Sequence, residues 1–307
     1  MALANTGVNT STTLANVIQT TLSRAREVVE KPIIMTNDNV VTVVTLDDGD
    51  GLTYNWPKFG TKLEAQTLSE GVPINNAQKL IPSTQQFTTS ENGVQVILTD
   101  KAKRVTKEPM AARAGRYMGN AMRRLRETTG IALFSGLSRD LGSAGSAFSP
   151  GWLSASKVRL KAASESGQTE PADGEIVAII HPFHAHDILT SSATLGSNKN
   201  ATDGSGFYPI EGWTEELIRE YDIQRLYGVD VAMAPLISID GSDDAIGAVF
   251  SKMAFIHVKT SHMMKMEKDR DIELRADMMV LTSEYGYGEL EDQFGFKMTA
   301  DATAPTG

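Results

Sequence analysis

Residues 94–137 read VQVILTDKAKRVTKEPMAARAGRYMGNAMRRLRETTGIALFSGL, a strand-like run that passes directly into one long helical pattern. Thr106 is placed to cap a helix, and Pro109 falls in its first turn, where a missing amide hydrogen costs nothing. Met110, Ala114, Met118, Ala121, Leu125, Thr128 and Ala132 recur at helical spacing, with Arg113, Arg116, Asn120, Arg123 and Glu127 on another face. A helix over 106–137 is about 45 Å long at ~1.5 Å per residue. Gly115, Gly119 and Gly130 each weaken it by up to about 1 kcal/mol relative to alanine. Tertiary packing must therefore hold it, and the glycines can admit a close neighbour.

On the N-terminal side, 84–89 and 94–99 read as strands joined by the turn Glu91-Asn92-Gly93, and 52–56 and 61–67 also read as strand. Between Pro57 and Pro82 the pattern does not alternate cleanly enough to bury a face: Trp56, Phe59, Leu63, Leu68, Val72 and Ile74 are interspersed with Lys58, Lys62, Glu64, Glu70 and Lys79. A structureless loop of that length is unusual in a compact domain. A hairpin of two arms, each about 13 residues, would reach roughly 40 Å. Two readings stand: the hairpin projects and its apolar groups need another molecule, or it folds back on its own domain. Further upstream, residues 1–12 are small and polar and read as a mobile arm. An amphipathic helix over 13–30 carries Leu14, Val17, Ile18, Leu22, Ala25, Val28 and Val29 and is stopped by Pro32. Residues 39–46 read as strand and Asp47-Asp48-Gly49-Asp50-Gly51 as a turn.

Downstream, a Gly/Ser-rich linker at 138–151 precedes a helix at 154–166, the strand Ile176-Val177-Ala178-Ile179-Ile180 and a helix from Pro182 through Leu189. A polar loop at 191–206, a helix at 214–221 capped by Thr214, and strands at 228–233 and 245–250 follow. This alternation marks an α/β unit at about 140–260. Residues 255–258, 263–267, 272–282 and 294–299 read as strand, with Tyr285-Gly286-Tyr287-Gly288 interrupting. The class is α+β.

The chain has 307 residues, 22% charged and 41% hydrophobic, which excludes wholesale disorder. With no cysteine, disulfide frameworks, thiolate metal sites and cysteine nucleophiles are excluded together. No apolar run approaches the roughly 18 residues of a membrane span, and the N-terminus does not read as a signal peptide. The expectation is a soluble protein made in a reducing cytosol. The net charge of −9 is unevenly divided: residues 1–135 hold 15 Lys/Arg against 12 Asp/Glu, the remainder 14 against 26. Such polarity suits a subunit whose two surfaces face different environments, and it is also compatible with ordinary surface variation.

No constellation demands catalysis. His181, His184 and His186 have metal-ligand chemistry, but His184 and His186 point apart on a helix and no third ligand for His181 and His184 is evident. The Asp47–Gly51 stretch lacks the register of a calcium loop. No phosphate-binding loop or nucleophile elbow occurs. Arg113, Arg116 and Arg123 have the chemistry of phosphate contacts, or of pairing with acidic neighbours, without the interleaved aromatics of a base-stacking platform.

The order of parts resembles the major capsid proteins of tailed phages with the HK97 fold. The similarity lies in Leu68-Ser69-Glu70-Gly71-Val72-Pro73-Ile74, in 94–105 followed by 111–136 with its Leu-Phe-Ser-Gly-like stop, in Ile179-Ile180-His181-Pro182 with Leu189, in Leu226-Tyr227-Gly228-Val229-Asp230-Val231, and in 267–275. The resemblance implies an N-terminal arm (1–35) and a peripheral domain (36–139 and 263–292) with an extended loop at 55–86 and a spine helix at 106–137. It implies an α/β axial domain at 140–262 and 293–307. The implied function is a shell subunit that assembles with itself into pentamers and hexamers of an icosahedral virion enclosing double-stranded DNA, without sequence specificity. No cofactor and no catalytic residue are implied. Trp56, Phe59, Leu63, Leu68, Val72 and Ile74 would form the subunit interface. No internal scaffolding region is seen before the arm, so the resemblance implies either a separate scaffolding protein or assembly without one, with portal or decoration proteins as further separate partners. Some members cross-link a loop lysine to a neighbour; Lys58, Lys62 and Lys79 are loop lysines, with no partner identified. The alternatives are an encapsulin-type compartment shell of the same fold and, from another class, a metal-dependent enzyme using His181 and His184.

Overall fold

The structure, a computed structural model, describes residues 8–9, 34–59, 63, 65, 67–71, 79, 81–105, 110–163, 170–195 and 225–305. The expected helices at 13–30 and 214–221 lie outside these residues, as do most of 60–80 and the capping positions 106–109.

In chain order the elements are β1 (Val8–Asn9), β2 (Thr42–Leu46), β3 (Thr53–Phe59), β4 (Pro82–Thr88), β5 (Ser90–Thr99), α1 (Asp100–Val105), α2 (Met110–Ile131), α3 (Pro150–Ala162), β6 (Ile176–Ile180), α4 (Pro182–Leu195), β7 (Arg225–Leu226), β8 (Val229–Met233), β9 (Asp244–Ser251), β10 (Phe255–Asp271), β11 (Ala276–Glu289) and β12 (Gly295–Asp301). They form two five-stranded sheets and one separate two-stranded ribbon. The first sheet has the order β1-β5-β11-β10-β2. Its centre is the long β10–β11 hairpin, closed by a turn in which Arg275 adopts a left-handed backbone, φ 49°. The second has the order β12-β9-β6-β8-β7. Its central strand β6 is buried at every position, as an uninterrupted Ile-Val-Ala-Ile-Ile run should be.

Helix α2 lies on the first sheet and buries Ala114, Met118 and Met122 against Leu98, Met279, Leu281 and Tyr285. The expected stripe bends here: Ala121 is exposed and Leu125 is 44% exposed, while Met122 and Arg126 point inward. Steps of four residues rotate a helical stripe by about 40° each, so the buried line winds around α2 in keeping with the twist of the sheet beneath. The regular helix ends at Ile131 and tightens into a 3₁₀ turn, Ala132–Gly136. Phe134 in that turn packs its ring against Phe250 and Phe255, at 5.8 and 5.9 Å. One aromatic group thus ties the helix to both sheets. Of the three helix glycines, only Gly130 meets a close neighbour: a Cβ there would lie 2.8 Å from Met35 Cβ.

Two expected turns are strand instead. Glu91-Asn92-Gly93 lies within β5, paired with Glu284, Ser283 and Thr282 of β11. Tyr285-Gly286-Tyr287-Gly288 continues β11 rather than interrupting it. In both places a long partner strand supplies a ladder that overrides local turn chemistry. The glycines of β11 serve the opposite face: a Cβ on Gly286 would meet Thr88 O at 2.5 Å, and one on Gly288 would strike the Phe87 ring. Conversely, Ile272 to Arg275, expected in a strand, form the tip of the β10–β11 hairpin. Residues 63, 65 and 67, expected in a strand, have no regular structure.

Candidate interaction surfaces

The ribbon β3–β4 pairs Thr53 with Thr88 through to Phe59 with Pro82, and it belongs to neither large sheet. Pro57 is tolerated because a two-stranded ribbon has edges that need no amide donor. At its base Trp56 is half-buried against the cluster of Leu46, Phe87, Ile256, Val258 and Leu290, with Tyr54 at 6.3 Å. Lys58 pairs with Glu291 at 2.9 Å. Trp56 therefore finds part of its burial in its own chain. Farther out, Leu63 is 53% and Leu68 61% exposed. The Phe59 side chain, Val72 and Ile74 lie outside the described residues.

On α2, Arg116 and Arg123 are exposed and Arg113 is half-buried. Glu127, expected on the same surface face, is instead buried, and its carboxylate accepts the backbone N–H groups of Ile34 and Met35 at 3.1–3.2 Å. Burial raises its pKa. The segment that leads into β2 is thereby fastened to the long helix. Arg126, also buried, donates from Nη2 to Ser283 Oγ at 3.2 Å and covers the Tyr285 ring at 5.3 Å. Beside it the His257 ring stacks on Tyr287 at 4.5 Å. Neither ring nitrogen of His257 has a hydrogen-bond partner among the described residues. Burial, reinforced by the Arg126 and Lys259 charges, lowers its pKa to about 4. Beyond the residue types themselves no local signal marks this polar layer, because inward placement depends on the drift of the helix stripe.

At the far end of the first sheet, Asp277 is bracketed by Lys103 of α1 and by Lys268 and Arg270 of β10. The hydrogen bond from Lys103, followed by that from Lys268, holds its carboxyl well below the usual carboxylate range. Arg270 also reaches Asp100 at 2.7 Å. These pairs brace α1 against the β10–β11 hairpin.

His181 and His184, the residues of the metal reading, are both buried beside the second sheet, with ring centroids 6.1 Å apart. His184 stacks on Phe148 at 5.2 Å, and its Nε2 lies 3.3 Å from Ala300 O. Burial lowers both pKa values, that of His181 to about 4. Among the described residues no group of three His, Cys, Asp or Glu side chains is placed to hold a metal ion. Nor, among them, is any helix long and apolar enough to cross a membrane.

The chain has the fold of a phage capsid subunit. It superposes on the capsid of the cyanophage P-SCSP1u with a TM-score of 0.65 and 14% identity, over 98% of this chain and 97% of that one. It matches the head structure of the Helicobacter pylori bacteriophage KHP40 with a TM-score of 0.65 and 9% identity, over 85% and 88%. It matches the capsid of Ralstonia phage GP4 with a TM-score of 0.64 and 11% identity, over 89% and 90%. No family profile matches the sequence, and no curated protein does. The likeness is one of backbone course, carried by very different side chains.

Proposed function

We propose that this chain is the major capsid protein of a tailed phage, a subunit of the HK97 fold that assembles with itself into an icosahedral head around double-stranded DNA. The observation that carries the reading is the near end-to-end likeness to a capsid subunit, 98% of one chain on 97% of the other. A second one agrees with it: the ribbon β3–β4 is paired into neither large sheet, and Leu63 and Leu68 beyond it remain more than half exposed. On this reading the loop at 55–86 lies over an adjacent subunit and buries Phe59, Leu63, Leu68, Val72, Ile74 and the outer edge of Trp56. The chain divides into the arm (1–35), the peripheral domain (36–139 and 263–292) and the axial domain (140–262 and 293–307). Arg113, Arg116 and Arg123 face the lumen or an acidic neighbour, where charge without base contacts suffices for DNA held without sequence preference. Many modest contacts per subunit add to a stable shell. Scaffolding, portal or decoration proteins are the further partners, and the virion is the location.

Negative-stain microscopy of the expressed protein, with nuclease digestion of the particles, tests this. Closed shells with protected DNA are expected from an infected host. Shells that instead hold a cargo enzyme would favour a compartment protein of the same fold, and a permanently monomeric chain would overturn the reading.

A further inference from the structure

Strands β5 and β11 pair from Thr99 opposite Ala276 to Glu91 opposite Glu284. Eight residues separate the two ends, about 27 Å at ~3.4 Å per residue. Each end opens into a surface groove, and the two grooves carry opposite charge.

The first groove, about 710 Å³, is lined by Thr99, Asp100, Lys101, Lys103, Arg104, Leu274 and Arg275. Its one carboxylate, Asp100, is paired with Arg270 and Lys103, and Lys103 also pairs with Asp277. Lys101, Arg104 and Arg275 have no acidic partner among the described residues, and all three are exposed. The adjoining hairpin tip presents Ile272, 81% exposed, and Leu274, 41% exposed. The second groove, about 400 Å³, has Asp47, Asp48, Glu91 and Glu284 in its wall. Its cation, Lys265, is paired with Glu267 at 2.5 Å. Leu52, 60% exposed, adds an apolar side chain to this wall.

We propose that the basic groove of one copy receives the acidic turn of a second copy, Lys101, Arg104 and Arg275 facing Asp47 and Glu91, with Leu274 and Ile272 against Leu52. This deepens the shell reading, on which it rests, by assigning one contact between subunits. The contact is heterologous: different ends of the same sheet meet, so each copy in a contact keeps its other groove for a further neighbour, and rotation closes the chain of contacts into rings. An apolar centre rimmed by complementary charge is the ordinary anatomy of a protein interface. Nucleic acid would also suit three cations, but it has no use for the aliphatic tip that flanks them, and it leaves the acidic groove unexplained.

Charge exchange tests the pairing. Lys101→Glu with Arg104→Glu, and separately Asp47→Lys with Glu91→Lys, change exposed side chains that make no described bond. Each pair is expected to lower the fraction of chain in shells by at least about tenfold at low salt, with an unchanged circular dichroism spectrum. The four changes combined are expected to restore more than half of it. Recovery in the combined variant also shows that the altered chains fold. Normal shells from either pair, or no recovery in the combined variant while the unaltered chain assembles, would overturn the contact and leave the shell reading intact. Lys101→Glu with Arg104→Glu shells that form normally but retain less DNA would assign the basic groove to nucleic acid instead. An unaltered chain that never assembles would remove both.

Discussion

His257→Phe isolates the energetic consequence of the buried layer under α2. The imidazole is 1% exposed and stacked on Tyr287. The charges that act on it are the cations Arg126 and Lys259, and the Tyr285 and Tyr287 rings pack beside it. Protonation is therefore opposed first by desolvation and then by like charge. The folded pKa is about 4 against 6.5 for the free side chain. Because the folded value is the lower one, the ring is neutral in both states above pH 6.5 and contributes no pH dependence there. As the pH falls below 6.5 the unfolded chain takes up the proton and the folded chain does not, so stability is lost until the folded ring titrates near pH 4. From pH 7 to pH 5 this loss is about 2 kcal/mol, at 1.36 kcal/mol per unit. Phenylalanine keeps the ring contact and cannot titrate. Urea unfolding of dissociated subunits, followed by tryptophan fluorescence at pH 7 and pH 5, should show the variant gaining about 2 kcal/mol on the parent at the lower pH. His181 and His184 add their own acid sensitivity to both proteins and cancel in the comparison. A difference between the two proteins that does not change with pH would refute the reasoning.

Phe134→Ala removes the ring shared by the two sheets and should cost about 3–5 kcal/mol, read as a lowered urea midpoint. Gly130→Ala places a methyl against Met35 and should cost about 1–3 kcal/mol. Most of that cost should vanish in a Met35→Gly background, which removes the Cβ the new methyl would meet, so that the two changes are non-additive. Glu127→Ala leaves the Ile34 and Met35 amides without their acceptor and should destabilise by about 3 kcal/mol, measured in the same unfolding assay.

Much of the element order was legible because apolar runs and helical spacing are local signals. The 94–99 strand, the 110–131 helix, the buried 176–180 strand and the α/β alternation around it all carry such signals. Tertiary context decided the rest. Asn92-Gly93 and the Tyr-Gly-Tyr-Gly stretch have turn chemistry, yet each lies opposite a strand long enough to pair with it. The glycines of the second stretch are required by Thr88 and Phe87 crossing behind the strand, a contact between residues nearly 200 positions apart. Glu127 reads as a surface carboxylate until the amides of Ile34 and Met35 are brought to it. The apolar residues scattered among lysines and glutamates around Leu63 and Leu68 mark side chains with no core of their own to enter, and both leucines are more than half exposed. The partial burial of Trp56 was not legible, since its cluster is assembled from β2, β4 and β10.

Sedimentation velocity of the intact chain beside a variant lacking residues 58–80 tests most directly whether the outer loop buries its leucines in other copies. The intact chain should sediment as closed shells, and the shortened one as small species with unchanged circular dichroism. Shells from the shortened chain, or an intact chain that sediments only as a monomer, would contradict the account.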